Sequence, residues 1–139
     1  MSLYDELGGF DAILGVCRRW NELCLADPVA EHPFSHPYVH PQHDERLAAY
    51  LSEAAGGPRL YTGGYGTESG MQRMHAGNGP HAELDEICLS LFDQALEESA
   101  IDPRAAARLG AYFRAVAHDM TRFDDAADLV PEGLAIRPA

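Results

Sequence analysis

Apolar residues recur along this chain at intervals of three and four, and four segments sustain the pattern long enough to define helices. From Asp11 to Ala26 the stripe is Ile13, Val16, Cys17, Trp20, Leu23 and Cys24, and Pro28 stops it. From Pro41 to Ala55, Leu47, Tyr50, Leu51 and Ala54 share a face, and Gly56-Gly57-Pro58 forms a C-cap followed by a breaker. From Pro80 to Ser99 the stripe is Leu84, Ile87, Cys88, Leu91 and Ala95, with Pro80 suited to a first helical turn. From Asp102-Pro103 to Phe123, Leu109, Phe113, Val116, Ala117 and Met120 repeat in the same way. No segment shows the period-two alternation of a strand, so the expected fold class is all-α.

Two irregular stretches separate these helices. Pro28 to His40 combines Pro28, Pro33 and Pro37 with the rings of His32, Phe34, His36 and Tyr38. Gly56 to Gly70 is rich in glycine, holds Tyr61 and Tyr65, and leads into a short helical piece that closes at His75 before Gly77-Asn78-Gly79-Pro80. After Asp124 the chain is acidic and has no sustained stripe. The expected organisation is one domain over residues 1–123 and a C-terminal extension over 124–139, packing through Leu129, Leu134 and Ile136.

Composition narrows the function classes. The 139 residues are one domain's worth, and a hydrophobic content of 46 % supports a packed core. No apolar run is long enough to span a membrane, and the start, Met1-Ser2-Leu3-Tyr4-Asp5-Glu6, does not resemble a secretory signal. The expectation is a cytoplasmic protein. The net charge is −12 and all ten basic residues are arginine, so nucleic acid and anionic membranes are excluded as partners. An anionic ligand must find a local arginine. Cys17, Cys24 and Cys88 have no CxxC spacing. Seven residues on one helix separate Cys17 from Cys24 by about 10.5 Å, beyond the roughly 7 Å a disulfide tolerates. They read as reduced thiols.

The histidines carry the candidate chemistry. His32, His36, His40 and His43 are spaced by four, four and three, which on a continuous helix would make a metal face. Pro33, Pro37 and Pro41 break such a helix, and no cysteine or carboxylate spacing of zinc-site type accompanies them. A proline-stiffened loop with solvated imidazoles is the better reading of the first three. His43 lies one turn before Leu47 and shares the core-facing side of its helix. His75 closes a short helical segment. Taken singly, both read as structural histidines at the edge of a core.

The order of the segments changes that reading. Leu3-Tyr4-Asp5-Glu6-Leu7-Gly8-Gly9 opens the chain, Ala26-Asp27-Pro28 closes the first long helix, and Glu45-Arg46-Leu47 lies inside the next. Gly56-Gly57-Pro58-Arg59 follows with Tyr61 just beyond, and Arg73-Met74-His75-Ala76 completes the set. In this order and spacing, over residues 3 to 123, the chain resembles the truncated haemoglobins of the second group.

That resemblance implies a two-over-two helical sandwich around haem b, held without covalent attachment, with His75 as the proximal iron ligand. It implies a cofactor pocket of His75, Phe34, Leu47, Tyr61, Arg73 and Met74, in which Phe34 packs on the porphyrin and Arg73 and Tyr61 serve the propionates. On the opposite side the group's tyrosine and tryptophan positions carry Asn21 and Cys88, while His43 stands where a globin's distal histidine would. Asn21 can donate through its amide, whereas a thiol is a weak donor. A hydrogen bond to a charged acceptor contributes roughly 1.5–3 kcal/mol, so the exchange implies looser oxygen binding unless His43 compensates, or else His43 itself ligates the iron. The implied function is reversible binding of oxygen, carbon monoxide or nitric oxide, for carriage, storage or scavenging, with a reductase as a further partner. The protein itself is a monomer or a homodimer. The alternatives are a haem redox enzyme, a nitric oxide dioxygenase or peroxidase-like, and a haemless metal-binding sensor of globin fold.

Overall fold

The computed structural model describes residues 1–31, 33, 41–77 and 81–139. His32, Phe34, His36, His40 and Pro80, which carried expectations above, lie outside the described residues. Among the described residues every regular element is helical.

Local chemistry accounts for most of the helix ends. Helix α1 (Leu3–Leu7) starts with a capping box, in which the Ser2 side chain accepts from the Asp5 amide and the Asp5 carboxylate reaches back to Ser2. Gly8 closes it with a φ of 97°, a left-handed conformation that favours glycine. Helix α2 (Phe10–Ala26) buries Ile13, Leu14, Val16, Cys17, Trp20 and Cys24. Beyond it Asp27 Oδ1 accepts from the amides of Val29 and Ala30 and turns the chain away. Helix α3 (His43–Ala54) begins with His43 as its first residue and ends before Gly56, which again has positive φ. The short α4 (Glu68–His75) is capped by Thr67. Helix α5 (Ala82–Glu98) follows, and then α6 (Pro103–Asp119), whose cap Asp102 accepts from the amides of Arg104 and Ala105 with Pro103 in the first turn. The apolar spacing predicts α6 as far as Phe123, but the helix stops at Asp119 and the chain turns. Buried Met120 maintains the apolar pattern past the end of the helix.

The long helices form two layers, α2 with α3 and α5 with α6, and α2 packs on α3 within its layer and on α5 across it. This is the expected two-over-two arrangement. Three rings fix the crossing. Phe92 of α5 stacks on Phe113 of α6 at 3.8 Å between centroids and 6° between planes, and Trp20 of α2 meets both edge-on, at 5.8 and 5.2 Å. The Trp20 indole also donates to the Cys88 carbonyl at 2.9 Å, tying α2 to the backbone of α5.

The residues after 119 fold back over this framework. Arg137 makes a two-pronged ion pair with Asp119 at 2.7 and 2.9 Å, the Tyr112 hydroxyl donates to the Arg137 carbonyl, and the Ala139 amide donates to the Ala54 carbonyl. A 3-10 turn, Ala127–Leu129, packs against α4. Val130, just beyond that turn, is buried, while Leu129 remains 63 % exposed. Leu134 and Ile136 are half-buried.

Two glycines differ sharply in what they permit. A Cβ on Gly57 would stand 2.6 Å from the Tyr4 ring and 2.9 Å from the Ser52 carbonyl, whereas one on Gly15 would meet nothing within 4 Å. Gly57→Ala should cost about 1–3 kcal/mol through overpacking. Gly15→Ala, in an exposed helix interior, should gain roughly 0.5–1 kcal/mol. Urea denaturation of the two variants beside the parent checks both signs.

Candidate functional site

Helix α4 carries the first candidate and is held from two sides. Inward, the Tyr50 hydroxyl donates to Glu68 Oε2 at 2.7 Å, and Gln72 Nε2 donates to Glu68 Oε1 at 2.9 Å, with all three residues buried. Burial, and then the bond to Glu68, push the Tyr50 phenol well above its ordinary range, so it remains a neutral donor. The carboxylate sits in the first turn of α4, where the helix dipole favours negative charge. Outward, Ser69 Oγ donates to the Pro131 carbonyl and accepts from the Leu134 amide. Arg73 reaches the Val130 carbonyl and pairs with Glu132. At the exit, the Gly77 amide donates to the Phe123 carbonyl.

His75 is the last residue of this clamped helix. Its Nδ1 lies 2.8 Å from the Met71 carbonyl oxygen. A carbonyl only accepts, so Nδ1 carries a proton, and in the neutral imidazole the lone pair sits on Nε2. That is the tautomer and the backbone anchor typical of an imidazole that ligates a metal. His75 is exposed, as is Met74 beside it, at 59 %.

The second set stands on α2, α3 and α5. His43 is half-buried, with its ring centroid 6.3 Å from that of Trp20. Burial holds its imidazole below the usual histidine range; Asp44 opposes that shift, and the charge of nearby His75 adds to it. The two histidines are therefore within electrostatic reach of one another. Asn21, Leu47 and Cys88 are half-buried. Helix α5 is unevenly covered: Phe92, Ala95 and Leu96 in its second half are buried, while Leu84, Ile87, Cys88 and Leu91 in its first half pack only partly against the core. These four lie at positions i, i+3, i+4 and i+7, one apolar face of a helix.

The other expected residues have partners of their own. Tyr61 is 1 % exposed, edge-on to Tyr50 at 5.3 Å and stacked on Tyr65 at 6.5 Å. Arg73 is engaged by the C-terminal stretch as described, and Phe34 lies outside the described residues. Sequence reasoning counted Trp20 only as core, yet it contacts both His43 and the backbone of Cys88. It also passed over Arg46, which donates to the Tyr65 carbonyl at 3.1 Å and lies over the Tyr65 ring, joining α3 to the glycine-rich loop. Trp20 is the only tryptophan of the chain and lies one turn before Cys24, a spacing that could have drawn attention to it. Among the described residues no group of three or more His, Cys, Asp or Glu side chains is arranged to hold a metal ion. None of the described helices is long and apolar enough to cross a membrane.

Comparisons with known proteins agree with this fold. The model of the bacterial-like globin family matches residues 2–122. A thermostable hemoglobin from the actinobacterium Thermobifida fusca superposes with a TM-score of 0.70 at 27 % identity, covering 86 % of this chain and 96 % of that one. The group II 2-on-2 hemoglobin from the plant pathogen Agrobacterium tumefaciens gives 0.71 at 25 % identity, covering 86 % and 93 %. The cold-adapted truncated hemoglobin from the Antarctic marine bacterium Pseudoalteromonas haloplanktis TAC125 gives 0.74 at 21 % identity, covering 86 % and 97 %, a likeness of fold alone. No curated protein matches the chain.

The depressed affinity of His43 for protons has a measurable consequence. The unfolded chain binds that proton near the ordinary pKa of about 6.5, and the folded chain only at lower pH. Stability should therefore fall as pH drops through and below that value. His43→Gln should lose less stability than the parent between neutral pH and the folded pKa. Urea midpoints across this window check it, and parallel profiles for the two proteins would rule out a lowered proton affinity at His43.

Proposed function

The chain belongs to the bacterial-like globin family, and from that premise we propose that it is a truncated haemoglobin that binds diatomic gases reversibly at haem b held by His75. The observation that carries the proposal is the lock on the His75 ring. Its Nδ1 donates to the Met71 carbonyl, so Nε2 is the ligating nitrogen, and the clamp on α4 fixes where that nitrogen stands. Bound haem iron supplies the coordination position for oxygen, carbon monoxide or nitric oxide.

The residues present fit the cofactor. Leu47 and the half-covered stripe of Leu84, Ile87 and Leu91 offer apolar area to a flat macrocycle, and we assign Phe34 and Met74 the same role. We assign Arg73 and Tyr61 to the propionates. The present partner of Arg73, Glu132, is 83 % exposed, and exchanging one exposed carboxylate for another costs little. On the distal side we assign ligand contact to His43, Asn21 and Cys88. A neutral His43 keeps one N–H to donate, and its low proton affinity preserves that state at neutral pH. The reading carries with it a cytoplasmic location and a reductase as partner.

Haem redox chemistry, as a nitric oxide dioxygenase or a peroxidase-like enzyme, is the second reading. It is supported by the same neutral imidazole, which can act as a base beside a reacting ligand. Absorption spectra in ferric, ferrous and carbon-monoxide-bound forms test the proposal. A Soret band is expected in the parent, its stable retention is expected to be lost in His75→Ala, and haem is expected to remain in His43→Ala. In the last variant the rate of gas release should change about ten-fold or more, the worth of a hydrogen bond to a charged acceptor. A parent chain with no Soret band after incubation with hemin would end the haem reading.

A further inference from the structure

The two sides of the clamp on α4 act at different points along it. The inner bond, from Tyr50, reaches the helix at Glu68, its first residue. The bonds further along come from the last stretch of the chain. Ser69 Oγ donates to the Pro131 carbonyl at 2.7 Å and accepts from the Leu134 amide at 3.1 Å. Arg73 donates to the Val130 carbonyl and pairs with Glu132, and the Gly77 amide donates to the Phe123 carbonyl at 3.1 Å. Arg73 and Gly77 bracket His75 in the sequence. The 3-10 turn also stands close, since a Cβ on Gly77 would lie 3.9 Å from the Ala127 amide nitrogen. The end of α4 that carries His75 is thus located by residues 123–139, which lie beyond the residues 2–122 that match the globin family.

We propose that residues 123–139 are a strap that positions His75 through α4, and that strap docking and haem retention strengthen one another. The coupling to haem rests on the function proposed above, whereas the hold on α4 does not. A helix of eight residues does not persist in water by itself. Release of the fastenings at Arg73 and Gly77 therefore leaves the last turn of α4 to fray. An imidazole on a fraying turn occupies its ligating position for less of the time, and apparent affinity falls by that fraction. The linkage is reciprocal: a cofactor that binds only the ordered turn stabilises the docked strap by the same factor.

The strap is made to open before the helical frame. Val130 is the one buried side chain among the described residues 123–139, so little apolar area holds the segment. A short set of polar bonds does the rest. The Arg137 guanidinium pairs with Asp119 at 2.7 and 2.9 Å, and the Arg137 carbonyl accepts from the Tyr112 hydroxyl at 2.7 Å. The Ala139 amide donates to the Ala54 carbonyl at 2.9 Å. These anchors stand on α6 and at the end of α3, away from α4. Arg137 is therefore a positioning residue that acts on His75 through the strap.

The test measures amide hydrogen exchange, residue by residue, in the full-length protein with and without hemin. In the hemin-free protein, Arg137→Ala should speed exchange about ten-fold, both in the strap and at residues 73–77, as for loss of a hydrogen bond between charged groups. Exchange at Tyr50 and Leu51 of α3 should stay as in the parent. Ser69→Ala removes the strap's bonds at α4 itself and should act in the same way. The double variant should show less than the sum of the two effects, because both open one unit. Hemin should slow exchange at the Leu134 and Ala139 amides of the parent. Haem should also pass to excess apomyoglobin faster from Arg137→Ala than from the parent. Asp102→Ala, which removes the cap of α6, should lower stability without either change. Faster exchange in the strap with residues 73–77 unaffected would overturn the hold on α4, and so would equal acceleration in every helix. A parent with a Soret band whose strap exchanges alike with and without hemin would overturn the coupling to haem. A parent without that band would end the haem reading, and exchange at residues 73–77 would still decide the strap.

Discussion

The placement of one short helix governs the rest of this molecule. Helix α4 has eight residues, too few to be stable alone, and it carries the imidazole on which the proposed chemistry depends. Its position is set by the bond between the Tyr50 hydroxyl and the buried Glu68 carboxylate. A carboxylate inside a protein is costly unless its lone pairs are satisfied; Gln72 meets part of that demand from within α4, and Tyr50 of α3 meets another part where α4 now lies. The C-terminal stretch closes the other side through Ser69 and Arg73. A polar requirement in the interior thus fixes the location of a residue at the surface.

The opposite wall depends on a different kind of contact. Trp20 fills the crossing of α2, α5 and α6 with apolar area, and its indole N–H selects one carbonyl of α5. The area supplies stability and the hydrogen bond supplies register, because an indole N–H without a partner in this position would be penalised. That register sets the Cys88 backbone against the indole, and His43 stands beside it. Structural packing and candidate chemistry therefore share the same residues on this wall.

Much of the frame was legible because helix signals are local. The stripes on α2, α3, α5 and α6, the Gly56 break and the Asp102-Pro103 start are each written within a few residues. Periodicity failed where apolar spacing outlasts the helix: Met120 continues the pattern, but the chain has already turned. It failed again in the C-terminal stretch, where Val130 rather than Leu129 is buried, because nothing local distinguishes two adjacent apolar residues until α4 is packed beside them. His75 was singled out by the order of segments and their likeness to a family, not by its spacing, since a lone histidine at a helix end is chemically unremarkable.

By itself, then, the sequence determined an all-α chain, its helix limits to within a turn or two, a strongly acidic surface, and the candidate pair His75 and His43. These follow from side-chain spacing, caps and charge, all readable along the chain. Tertiary structure alone decided which groups meet: Trp20 with Cys88 across 68 positions, Arg73 with Glu132 across 59, and Tyr50 with Glu68 across 18. Partnerships at such separations depend on how helices cross and on which buried polar group must be satisfied, and no local pattern encodes either.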